Sequence, residues 1–292
     1  MSLALVEFLV LVGILAAIAY WGVRRAGPIA VANWAQKYGL ALSAPSASKI
    51  ERYLTWTRQW RMAGAFLGVL AFGKWILLDR MDYPEPGIAP WLILAVAGYL
   101  IGAMVAEIAL HGMHGIEQPE VSVPSLRARR PDMYVSKSAI TVLWSVPLIC
   151  IALVPAYFLV ADQPHIDSRF GIVAAAAFGG LALAVVVRRL MLHVVLRPQP
   201  AMSDELQQVD NAMRSWSLHA IVGSAVALAL ILLSVATSEL QAALEARFQH
   251  SRVDIISIVT LGSLAFAVIS WFIFSRPRPA QVRLDPIPGG NR

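Results

Sequence analysis

Charge is scarce in this 292-residue chain: 14% of its residues are Asp, Glu, Lys or Arg, and 58% are hydrophobic. Soluble globular domains carry about 25% charged residues and roughly 45–50% apolar ones, so with a mean hydropathy of +0.64 the composition excludes a water-soluble domain. Cysteine is nearly absent too. The single Cys150 excludes an intramolecular disulfide, a thiol metal cluster and a CxxC redox pair, and within an apolar run it reads as a small hydrophobe. There is no nucleotide-binding loop, no Ser/His/Asp arrangement and no pair of histidines within the spans to hold a haem. The last apolar run, Val253 to Phe274, has no lysine, which excludes a retinal Schiff base.

What the chain does have is long apolar blocks. Seven segments, at 3–23, 62–79, 91–110, 139–160, 170–187, 219–238 and 254–274, are long enough at about 1.5 Å per residue to cross a hydrocarbon core about 30 Å thick. Their continuous apolar character lacks the period of two shown by membrane strands. The expected fold is therefore an all-α integral membrane protein with seven transmembrane helices. The fifth segment is the weakest of these, because Ala174 to Ala177 and Gly179–Gly180 are only mildly hydrophobic.

Basic residues set the expected orientation, since short loops rich in Lys and Arg stay in the cytoplasm. Segments 24–61, 113–138, 188–218 and 276–292 hold 19 of the 24, and the opposite side holds only Arg80, Arg169, Arg247 and Arg252. The N-terminus is thus expected outside and the C-terminus in the cytoplasm. This asymmetry accounts for the net charge of +6 without nucleic acid as a partner. No basic residue precedes the first apolar segment, Glu7 lies within it and Arg24–Arg25 follow it, so it is expected to remain as an anchor. Residues 1–274 then form a single transmembrane domain, and 275–292, with Pro277, Pro279, Pro286 and Pro288, form a flexible cytoplasmic tail. No loop is long enough for a separate soluble core.

Pro45, Pro124 and Pro200 lie 79 and 76 residues apart, and each precedes a polar, helix-favouring stretch that ends in a span. Ser48-Lys49-Ile50-Glu51 reads as a capping box, and Ser203-Asp204-Glu205 as a cap with acids at the positive end of the helix dipole. Arg58, Lys137 and Arg214 follow at 13 or 14 positions. This periodicity predicts three parallel helical hairpins plus one helix. Tyr53, Trp56 and Trp60, ringed by Lys49, Arg52, Arg58 and Arg61, have the composition of a helix at the lipid headgroups. Leu206, Val209, Met213 and Trp216 form a second stripe, with Asp210 and Arg214 paired on its polar side. Either stripe also suits docking of a partner protein.

The stretch 197–219, Arg-Pro-Gln-Pro and then Asp210-Asn211-Ala212-Met213-Arg214-Ser215-Trp216-Ser217-Leu218-His219, resembles a family of uncharacterised actinobacterial multi-span membrane proteins. Gly98-Tyr99-Leu100-Ile101-Gly102 with Ala106-Glu107 is similar to that family's earlier hairpin. The resemblance covers about a third of the chain. It implies a bacterial plasma (inner) membrane and supplies no activity.

Ionisable groups inside a bilayer are costly and mark candidate sites. Glu7 and Lys74 lie at similar shallow depth and are expected to pair, with snorkelling of Lys74 as the alternative. Glu107, His111 and His114 stand at i, i+4 and i+7, a spacing able to bring carboxylate and imidazole together. No second cluster completes a metal set, so neither a metal nor a cofactor is expected. Gly64 and Gly68, and Gly98, Gly102 and Ala106, form small-xxx-small series that permit close helix packing. Pro147 and Pro155 interrupt the fourth segment, as at transport sites or as simple kinks. The expected function is a transport-associated or permease-type membrane subunit without catalysis of its own. Its partners would be the lipid bilayer and a partner membrane protein or separate ATPase subunit. Alternatives are an enzyme acting on lipid through Glu107, His111 and His114, and a membrane assembly scaffold.

Overall fold

A computed structural model of the chain describes residues 24–40, 42–79, 88–113, 131, 134–160, 168–196, 204–248 and 254–275, with isolated positions 9, 12, 13, 16, 20 and 22. Side chains at 72–79, 88–92, 111–113, 168, 204, 246, 248 and 254–257 lie outside this description. Seven helices and no strand are present among the described residues: α1 (Pro28–Lys37), α2 (Ala44–Asp79), α3 (Ile88–Met113), α4 (Lys137–Val160), α5 (Ser168–Leu196), α6 (Asp204–Phe248) and α7 (Asp254–Phe274). Among the described residues four of them, α3, α4, α5 and α6, are long and apolar enough to cross a membrane, and α7 is apolar over its described part, Ile258–Phe274. The mildly hydrophobic fifth segment is thus helical throughout. The first apolar segment, 3–23, falls largely outside the described residues.

The chain divides into two compact units, one holding α1, α2, α3 and α6 up to Ser217, the other α4, α5, α6 from Leu218 and α7.

In the first unit, α1 is a short helix that the hydropathy pattern did not single out. Pro28 opens it and Gly39, at φ 63°, closes it. Leu40 N–H donates to Ala35 O at 3.0 Å and Gly39 N–H to Gln36 O at 3.1 Å, satisfying carbonyls that the helix leaves free. Val31, Trp34 and Ala35, at i, i+3 and i+4, are buried against Ile50, Tyr53, Leu110, Val209, Ala212 and Met213.

The start of α2 corrects the expected capping box at Ser48 to Glu51. The helix begins one turn earlier, at Ala44. Ser43 N–H donates to Ser46 Oγ at 2.9 Å, and the Glu205 carboxylate of α6 accepts from the same N–H at 3.1 Å. An acid from another helix thus occupies the positive end of the α2 dipole. Pro45 is accommodated because the first turn needs no N–H from it. Both α2 and α6 run unbroken from their polar starts into apolar sequence, as the helix-favouring stretches after Pro45 and Pro200 suggest, because neither stretch contains a breaker.

Glycine sets the spacing of α2 and α3. A methyl group at Gly64 would collide with the Gly98 carbonyl, one at Gly68 with Leu94 O, and one at Gly102 with Trp60 O. The pairing 60–102, 64–98, 68–94 makes the helices antiparallel with backbones in direct contact, as the small-residue series predicted.

In the second unit, α4 and α5 are likewise antiparallel. Pro147 lies 3.5 Å from where a Gly180 Cβ would stand, and the Tyr157 and Phe170 rings are 6.2 Å apart. Both prolines are accommodated within a continuous α4. Arg247 of α6 donates to the free carbonyls of Leu159 and Val160 at 2.9 and 3.0 Å, so a cation meets the negative end of α4. The Thr237 and Thr260 hydroxyls, 2.9 Å apart, tie α6 to α7.

Exposure separates these helices by role. Large apolar side chains stand open on α2 (Phe66, Leu67), α4 (Leu148, Leu159), α5 (Phe178) and α7 (Leu261, Phe272). Such surface is unfavourable in water and suits lipid. The apolar window of α6, by contrast, is 89% buried.

Candidate functional site

Glu107 has no exposed surface at all. It sits near the end of α3, inside the candidate span Ile93–Leu110, where an ionisable group survives only with partners. Tyr53 OH donates to its Oε1 at 3.0 Å, and Ser217 Oγ donates to its Oε2 at 2.5 Å. The two hydroxyl oxygens lie 3.4 Å apart. Each carboxylate oxygen is thus held by a hydroxyl from a different helix, α2 for one and α6 for the other.

On α2, Tyr53, Thr57 and Arg61 follow at i, i+4 and i+8, one face of the helix. Thr57 turns its hydroxyl back to the Tyr53 carbonyl at 3.0 Å and does not reach Glu107 with it. The Arg61 charge acts electrostatically on both Glu107 and Tyr53. Its Nε is buried and has no hydrogen-bond partner among the described residues, although the side chain as a whole is half-buried. Burial, reinforced by the neighbouring Glu107 charge, pushes the Tyr53 phenol well above its usual range, so it stays a donor.

On α6, Asp210, Arg214 and Ser217 share a face at i, i+4 and i+7. Arg214 Nε donates to Asp210 Oδ2 at 2.8 Å, with both side chains buried. The pair expected on an open polar side is therefore formed, but inside the protein. Trp34, Tyr38 and Trp216 pack as a three-ring group beside it in sequence, with Lys37 Nζ 5.1 Å from the Trp216 ring centre.

Of the candidate site residues Glu7, Lys74, Glu107, His111 and His114, Glu107 is the one whose side chain the structure describes. Glu7 and His114 lie outside the described residues, as do the side chains of Lys74 and His111. Neither the Glu7–Lys74 pair nor the Glu107, His111, His114 set is therefore described. No group of three or more His, Cys, Asp or Glu that could hold a metal occurs among the described residues. By sequence Tyr53 and Arg61 suit a helix at the lipid headgroups, and Ser217 carries no local signal of a role. Their partner Glu107 is 54 residues from Tyr53 and 110 from Ser217, beyond the reach of any local pattern.

No protein family, curated protein or solved structure matches the chain.

Proposed function

We propose that the chain is a seven-span protein of the bacterial inner membrane, N-terminus outside and C-terminus cytoplasmic, acting as a permease-type transport subunit in which Glu107 exchanges a proton. The observation that carries the reading is the fully buried Glu107, held by hydroxyls from two other helices inside an apolar helix. A carboxylate that served only to join helices could be replaced by an apolar contact at little cost, whereas one retained in a span with hydroxyl partners suits proton relay. The hydroxyls of Tyr53 and Ser217, 3.4 Å apart, supply adjoining positions for such a relay.

Proton flux tests this. The purified protein in liposomes loaded with a pH-sensitive dye, under a potassium diffusion potential, should admit protons, and E107Q should fall to the level of empty liposomes. Equal flux from wild type and E107Q would overturn the reading. Orientation is tested separately: reporter fusions after residues 40, 120, 205 and 285 should read cytoplasmic, and those after 85, 165 and 245 external.

A further inference from the structure

The first unit buries an excess of unfilled donors. Trp34 Nε1, Tyr38 OH, Trp56 Nε1 and Arg61 Nε are all buried without a hydrogen-bond partner among the described residues; Trp34 lies on α1, Tyr38 directly follows it, and Trp56 and Arg61 lie on the first part of α2. Buried polar groups are normally satisfied, and an unfilled one costs roughly 1–3 kcal/mol. Trp34, Trp56 and Arg61 offer donors only, and a shortage of that kind is met by a ligand that brings acceptors. Arg61 is the charged member, it shares a face of α2 with Tyr53, and its charge acts on Glu107. Its planar fork of N–H groups fits an oxyanion, which can take two parallel hydrogen bonds. Half-burial of its side chain leaves a way in.

We propose that Arg61 binds an oxyanion, a carboxylate, sulfate or phosphate group, and that binding is coupled to proton uptake by Glu107. The coupling half of this rests on the proton exchange proposed above. Arg61 and Tyr53 from α2 and the Ser217 hydroxyl from α6 are among the groups acting on Glu107, and Asp210 pairs with Arg214 on α6. A cation beside a carboxylate favours its ionised form, and an anion held on that cation both cancels this influence and repels the carboxylate. Each bound oxyanion therefore draws a proton from solution onto Glu107. Linkage requires the reverse as well: protonated Glu107 binds the anion more tightly, so affinity rises as pH falls. The oxyanion is either a soluble ion or the phosphate of an anionic lipid headgroup.

Sulfate is a suitable probe because it does not titrate near neutral pH. Calorimetry of the full-length protein in phosphatidylcholine nanodiscs, repeated in two buffers of different ionisation enthalpy, counts protons taken up with each sulfate. Wild type should bind sulfate with net proton uptake, its affinity falling by up to about tenfold per pH unit, the limit for one coupled proton. R61Q should lose binding. R61K, which keeps the charge but not the fork, should bind more weakly, and this keeps the test decisive if R61Q fails to fold. E107Q should bind sulfate with no proton uptake and no slope with pH. If nanodiscs containing phosphatidylglycerol abolish the sulfate heat while neutral discs keep it, the natural occupant is a lipid phosphate; if both keep it, a soluble anion. Unchanged binding in both Arg61 variants, or no binding to wild type in neutral discs, overturns the site. Proton uptake that persists in E107Q overturns the coupling. Sulfate binding without any Glu107-dependent proton flux defeats the transport reading and leaves the site standing, while flux without binding does the opposite.

Discussion

The two halves of α6 are equally buried and chemically opposite. From Val209 to His219 the buried set includes Asp210, Asn211, Arg214, Ser215, Ser217 and His219. From Ala220 to Ile231 it is Ala, Val, Ile, Leu, one glycine and Ser224. An apolar half excluded from both water and lipid needs only shape to fit its neighbours. A polar half costs free energy unless every group finds a partner, so it persists where its groups have work to do. Burial alone, then, does not find the site; buried polarity with named partners does.

Breaking the polar half should cost most. Asp210→Ala leaves the buried Arg214 guanidinium without its carboxylate, and loss of one partner of a buried pair costs about 3–5 kcal/mol. Replacing both residues by Leu and Met should cost less than the single change, and chemical unfolding in detergent micelles measures both. Should the double variant prove the less stable of the two, the pair is contributing more than mutual neutralisation.

Tyr53→Phe removes one donor to the buried carboxylate, and a hydrogen bond to a charged group is worth about 1.5–3 kcal/mol. The same unfolding assay on E107Q and on the double variant gives the coupling between them, which should approach the Tyr53 effect alone. In the apolar half, Ile221→Val removes one buried methylene and should cost only about 0.5–1.5 kcal/mol, with no change in proton flux. A flux defect in this variant would dissolve the distinction between the halves.

A smaller effect concerns alkaline pH. Burial raises the phenols of both Tyr38 and Tyr53 above their usual range. A group whose folded value is raised contributes stability that is fully present below the unfolded value, about 10, and is lost as pH rises above it. Ultraviolet titration should therefore show these two phenolates emerging only with unfolding above about pH 10, and Y38F and Y53F should each remove one phenol from the delayed fraction.

Much of the helical frame was legible from sequence because it rests on local composition: the apolar block at 62–79 lies within α2, the five from 91 onward lie within α3 to α7, and the small-residue series became the α2–α3 contact. Glu107 stood out for the same reason, as an acid in an apolar run. What escaped was long-range. Glu205 capping α2 spans 162 residues, and the hydroxyls on Glu107 come from helices that the hydropathy pattern treats alike. The Asp210–Arg214 spacing was readable, yet i, i+4 pairing is the same on a wet face and a dry one. Tyr53 and Arg61 read as lipid-facing because aromatic and basic residues at a membrane boundary usually are.

The central claim is that Glu107 changes protonation inside the folded bundle. Infrared difference spectroscopy of the wild type in lipid between acidic and neutral pH tests it most directly. The account predicts a protonated-carboxyl stretch at low pH that is absent from E107Q and altered by Y53F, since Tyr53 donates to that group. Identical difference spectra for wild type and E107Q would contradict it.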